Sequence, residues 1–141
     1  MRFDLKELAA PLERLRPELD AAYESLETEW AAITETLRAL PIPQRVVVEL
    51  PAWGQNVDRT LEWRKQNGTW RFCLVHTKQP PKKNPPNNGP AREPKPDVRP
   101  IEQWTGQERM NTLQYVPAVF EQAEKQTRAF IRKAKRGAAS R

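Results

Sequence analysis

The sequence predicts an α+β protein in which a three-stranded antiparallel meander is packed by a long, kinked N-terminal helix and a C-terminal helix, in the order α-β-β-β-(proline-rich loop)-α. Three observations carry this reading. Apolar residues recur at steps of three and four from Leu5 to Leu40, two alternating runs flank Asn67-Gly68, and helical spacing returns beyond Pro100. With 141 residues the chain suits one domain, organised as a helix-plus-sheet part over 1–77, a proline-rich insert over 78–100 and a helical segment with a basic tail over 101–141.

The first helical stripe runs through Leu5, Leu8, Leu12, Leu15, Leu19 and Tyr23, then Leu26, Trp30, Ile33, Leu37 and Leu40. Pro11 and Pro17 each remove a backbone donor, which a helix interior tolerates poorly and a first turn tolerates well. The expectation is therefore a short helix from about Leu5, capped by Asp4 with Glu7 three residues on, then a break, then a main helix from Pro17 to Leu40, ended by Pro41-Ile42-Pro43. The stripe reads as the half of the core that covers the sheet. The alternative is a homodimer through this helix, because a helix of such length outreaches a three-stranded sheet.

Arg45–Leu50 is rich in β-branched residues and bounded by prolines, which marks a strand. Thr60–Lys65 and Thr69–His76 flank Asn67-Gly68, the dipeptide best suited to the two positive φ angles of a type I′ hairpin. A two-residue turn sets Leu61 opposite Leu74, Trp63 opposite Phe72 and Lys65 opposite Trp70 on one side, with Glu62 opposite Cys73 and Arg64 opposite Arg71 on the other. The ring-bearing side belongs in the core, anchored by Trp63 and Phe72. On the other side two facing arginines repel, so Arg64 and Arg71 are candidate contacts for an anion or an acidic partner unless Glu62 and Glu49 neutralise them. The alternation of aromatic and basic residues looks like a single-strand nucleic-acid platform, but a pleat sends rings and guanidinium groups to opposite sides.

Residues 78–100 hold eight prolines and few apolar side chains, too little to bury, and are expected to form an extended connection. Past it, Thr105 and Glu108 form a capping-box pattern, Pro117 marks a kink or a new helix start, and Met110, Leu113 and Phe120 are expected to close the core. Beyond Glu124 there is no acidic residue. Lys125, Arg128, Arg132, Lys133, Lys135, Arg136 and Arg141 form a basic tail in which Gly137 is expected to end the helix. These cations complement the helix dipole; read functionally, Arg128, Arg132, Lys133, Lys135 and Arg136 are candidate contacts for phosphates or an acidic groove. Phe130 and Ile131 give too small an apolar face for a membrane-surface helix.

The net charge of +6 is unevenly spread, and this decides how it is read. Residues 1–40 carry five basic and nine acidic groups, whereas the excess of positive charge lies in the insert and the tail. Nucleic-acid association is accordingly the alternative reading and a protein-interaction module or accessory subunit the first. Catalytic, cofactor-binding and metal-binding residues are not expected. His76 is the only histidine and Cys73 the only cysteine, and they point to opposite sides of their strand, so neither a zinc set nor a nucleophile pair can be assembled from them. The five glycines form no phosphate-cradling cluster. The N-terminus lacks the apolar core of a signal peptide and no stretch is long enough to span a bilayer, so the expectation is a cytoplasmic protein.

Overall fold

A computed structural model describes residues 2–52, 57–78 and 95–139. Asp4 opens the first helix, α1 (Leu5–Arg14), by accepting from the backbone N–H groups of Lys6 and Glu7 at 3.1 and 3.4 Å. These two donors have no partner within the helix, which is why an aspartate is favoured there. The break expected near the prolines is a single residue long. Leu15 keeps right-handed helical angles (φ −84°, ψ −11°) and its carbonyl accepts from Leu19 N–H at 2.9 Å, leading directly into α2 (Arg16–Arg38). Pro17 sits in the first turn of α2, where its missing donor is not needed.

The sheet has the order β1-β2-β3-β4, antiparallel throughout, from Val46–Leu50, Val57–Gln66, Thr69–Lys78 and Asp97–Pro100. The expected meander is present with its register: Leu61 pairs with Leu74, Trp63 with Phe72, Lys65 with Trp70, Glu62 with Cys73 and Arg64 with Arg71. Asn67 (φ 52°) and Gly68 (φ 82°) supply the two positive φ angles of the turn. Nothing lies within 4 Å of where a Gly68 side chain would stand, so the constraint on it is conformational only. Gly68→Ala is expected to lower the unfolding free energy by about 1 kcal/mol, as an L-residue in the left-handed region requires, read as a shift of the urea midpoint with unchanged slope.

The fourth strand corrects the extent of the insert. Asp97–Pro100 were expected to belong to the extended connection, but they pair with the outer edge of β3, Val98 against Val75 and Pro100 against Cys73. The strand is four residues long and ends in proline, which blunts the sheet edge it forms. The expectation of an extended chain over 79–94 lies outside the described residues.

Beyond β4, Thr105 and Glu108 close the expected capping box at the start of α3 (Gly106–Thr112). A 3-10 turn over Leu113–Tyr115 then leads into α4 (Val116–Ala139), with Pro117 at its start as its fixed φ favours. Gly137 does not end this helix, contrary to expectation; α4 runs through it to Ala139. Gly106 stands where α3 meets α2, and a side chain there would collide with the Tyr23 ring.

Helices α2 and α4 contribute Trp30, Leu37, Val116, Val119 and Ala123 to one core with Val46, Leu61, Trp63, Phe72 and Leu74 of the sheet. Its centre is a run of rings. Trp30 meets Phe72 and Trp104 edge-on at centroid distances of 5.1 and 5.4 Å, and Phe72 meets Trp63 at 5.0 Å. A buried indole favours a partner for its N–H, and two of the three in this core donate to a carbonyl: Trp30 Nε1 to Arg109 O and Trp104 Nε1 to Arg99 O, each at 2.8 Å. Leu113 and Phe120 pack on this core as expected, whereas Met110 faces outward, 59% exposed.

Candidate functional site

The core cover provided by the first helical stripe stops partway along it. From Trp30 to Leu37 the stripe is buried or packed on the core, but Leu5, Leu8, Leu12, Leu15, Leu19 and Tyr23 are 45–71% exposed, and α1 has no buried residue. The expectation that the stripe as a whole covers the sheet therefore fails over its first half. The reason is one of length: the core reaches only as far as the sheet and α3, while the helical repeat continues well past both. A row of six large apolar side chains left in water is the feature of this surface that most needs an explanation, since scattered exposure is ordinary and a continuous row is not.

The arginine face is built differently from what its sequence suggests. Arg64 and Arg71 are cross-strand partners on the side of the sheet opposite the core. On the same face, two residues before Arg64 on β2, lies Glu62, 6% exposed, whose carboxylate accepts from Thr60 Oγ1 at 2.7 Å and from Arg64 Nη1 at 3.3 Å, with Arg45 Nε at 3.7 Å. Arg71 Nη1 lies 3.4 Å from Glu102 Oε1, on the turn that follows β4. Each facing arginine thus has its own carboxylate. Glu62 does the neutralising foreseen for it, though toward Arg64 rather than Arg71; Arg71 takes Glu102, which only the fold brings near. The Nε atoms of Arg64 and Arg71 are buried without a hydrogen bond among the described residues.

Cys73 sits on the same face, wholly buried. Burial pushes its thiol up to about 11, and the nearby charges of Arg64 and Arg71 pull only partly the other way. The reactive species is the thiolate, so alkylation of the folded protein by iodoacetamide at pH 8 is expected to run at least about a hundredfold slower than that of a free thiol, and at the ordinary rate in denaturant. Mass spectrometry after timed quenching checks this.

On the core face, burial first, and then the charge of Arg59, holds the His76 imidazole below its ordinary pKa against the opposing pull of Asp97. Nearby, Arg99 clamps Glu108 through two bonds of 2.7 and 2.8 Å, and the backbone N–H of Thr105 adds a third at 2.9 Å. Burial works to raise the Glu108 carboxyl, yet these bonds hold it below the usual range. This cluster fastens β4 to α3, and its role is architectural.

Arg128, Arg132, Lys133, Lys135 and Arg136 all lie on the distal half of α4, exposed, with Arg128 paired to Glu124. The fold does not join them to Arg64 and Arg71, because α4 packs on the opposite side of the sheet. Since α4 continues through Gly137, these cations stand on one regular helix rather than on an unravelled tail. The described residues contain no helix long and apolar enough to cross a membrane. Compared with known proteins, the chain matches no family model, and no curated protein or solved structure is detectably similar to it.

Proposed function

We propose that this chain is a non-enzymatic, cytoplasmic protein-interaction module or accessory subunit whose contact surface is the apolar row on α1 and the first turns of α2. The observation that carries this is the exposure of six large apolar residues on a helix whose continuation is buried in the core. A ten-residue helix is marginal in water by itself, and no residue of α1 is buried, so an apolar partner along the row is what would stabilise it. The test is affinity capture from native cells with the wild type and with Leu8→Asp/Leu15→Asp, near-UV circular dichroism first confirming an intact tryptophan core. Proteins or further copies of the chain retained by the wild type and lost by the variant support the reading. Identical retention overturns it.

A second reading has one observation of its own: an unbroken helix carrying Arg128, Arg132, Lys133, Lys135 and Arg136, with no acidic residue after Glu124. Such a helix suits phosphate backbones, and its affinity for nucleic acid would fall steeply with salt. Retention on nucleic acid at two salt concentrations, with and without residues 125–141, decides it. No binding by either form removes this alternative.

A further inference from the structure

We infer that the partner of the exposed row is a second copy of the same chain, paired antiparallel along residues 5–22; this rests on the reading that the row is a contact surface. Over these residues the five leucines of the row keep a regular heptad pattern, Leu5, Leu12 and Leu19 at one seam position and Leu8 and Leu15 at the other; the next seam position falls on Ala22, while the row itself steps on to Tyr23. An antiparallel pair packs the first kind of position against the second. That arrangement sets Leu8 opposite Leu19 of the second copy and Leu12 opposite Leu15 of the second copy. The two-fold axis repeats both, giving four consecutive leucine layers closed at each end by Leu5 against Ala22. Helical spacing keeps Pro17 on the far side of the rod and Pro11 at the flank, so neither ring enters the seam.

Charge selects the orientation. Residues 18–24 carry Glu18, Asp20 and Glu24 with no base, whereas residues 2–7 are balanced, Arg2 and Lys6 against Asp4 and Glu7. A parallel pair sets acidic segment beside acidic segment. The antiparallel pair removes that repulsion by setting the acidic segment beside the balanced segment of the other copy. The area also suffices: the five seam leucines, 51–71% exposed, offer at most roughly 500 Å² per copy, or about 1,000 Å² in total, at the lower bound of specific interfaces. The dimer is accordingly expected to be concentration-dependent.

Sedimentation or light scattering on the full chain, from low micromolar to a few hundred micromolar, is expected to show the mass rising from 16.4 kDa toward twice that value. Leu12→Glu/Leu15→Glu is expected to remain at the monomer mass throughout, with unchanged near-UV circular dichroism. Orientation is read from single cysteines: a mixture of Leu8→Cys and Leu19→Cys chains is expected to cross-link under mild oxidation, while Leu8→Cys alone does not. Self-linking of Leu8→Cys, or a dimer that persists in the glutamate variant, overturns the inference. A monomer at every concentration overturns it too. In that case the capture experiment shows separately whether the contact surface stands, with another protein as its partner, or falls as well.

Discussion

Replacing Trp30 by alanine is expected to lower the unfolding free energy by about 3–5 kcal/mol, a large part of what holds a domain of this size together. Trp30 is 1% exposed and joins the helix layer to the sheet: its ring meets Phe72 of β3 and Trp104 after β4, and its indole N–H reaches the Arg109 carbonyl of α3. Truncation opens a cavity between elements that cannot close without moving α2. Trp30→Phe separates the two contributions. It keeps most of the ring contact, loses the hydrogen bond and part of the volume, and is expected to lose about 1–2 kcal/mol. Urea unfolding followed by far-UV circular dichroism measures both. A midpoint for the alanine variant within 0.5 kcal/mol of wild type would mean that the helix layer is not held through this ring.

Glu62→Ala is expected to be the most damaging substitution outside the core, at about 2–3 kcal/mol. The carboxylate is buried on a strand centre and satisfies the Thr60 hydroxyl, Arg64 and Arg45 together. Without it, Arg64 faces Arg71 with the Arg71–Glu102 ion pair left and its own carboxylate gone, so a repulsion that the native fold offsets is offset less. Because Arg45 is more than half exposed, its share is small and screened. Glu62→Gln, which retains an acceptor for Thr60 but removes the charge, is expected to lie between alanine and wild type. Added sulfate is expected to narrow the gap between Glu62→Ala and wild type by occupying the arginine pair. If the gap is independent of salt, the loss is one of packing and hydrogen bonding rather than of charge.

The two substitutions probe opposite sides of the sheet, and neither touches the exposed row on α1. A chain destabilised at Trp30 or Glu62 should therefore retain its contact surface at temperatures where it remains folded, whereas the leucine variants should lose association while keeping their unfolding midpoint. This separation distinguishes a contact surface from a poorly packed piece of core. If Leu8 and Leu15 belonged to the core, their replacement by aspartate would lower the midpoint by several kcal/mol.

The amino-acid sequence by itself determined the features written in short-range chemistry. The hairpin register follows from Asn67-Gly68 and a period of two, the start of α1 from Asp4, and the start of α3 from Thr105 with Glu108, because each is decided by residues within a few positions of one another. The helix-sheet-helix order followed from periodicity in the same way. Only the tertiary structure decided where the apolar stripe ceases to be core, since its spacing is the same at Leu12 as at Leu37 and burial depends on how far the sheet and α3 extend. It likewise decided that Asp97–Pro100 pair with β3, that Arg71 meets Glu102, that Met110 faces outward and that α4 passes through Gly137. Periodicity fixes the direction in which a side chain points along its own helix or strand, but whether anything stands there to meet it is set by residues far away in the chain.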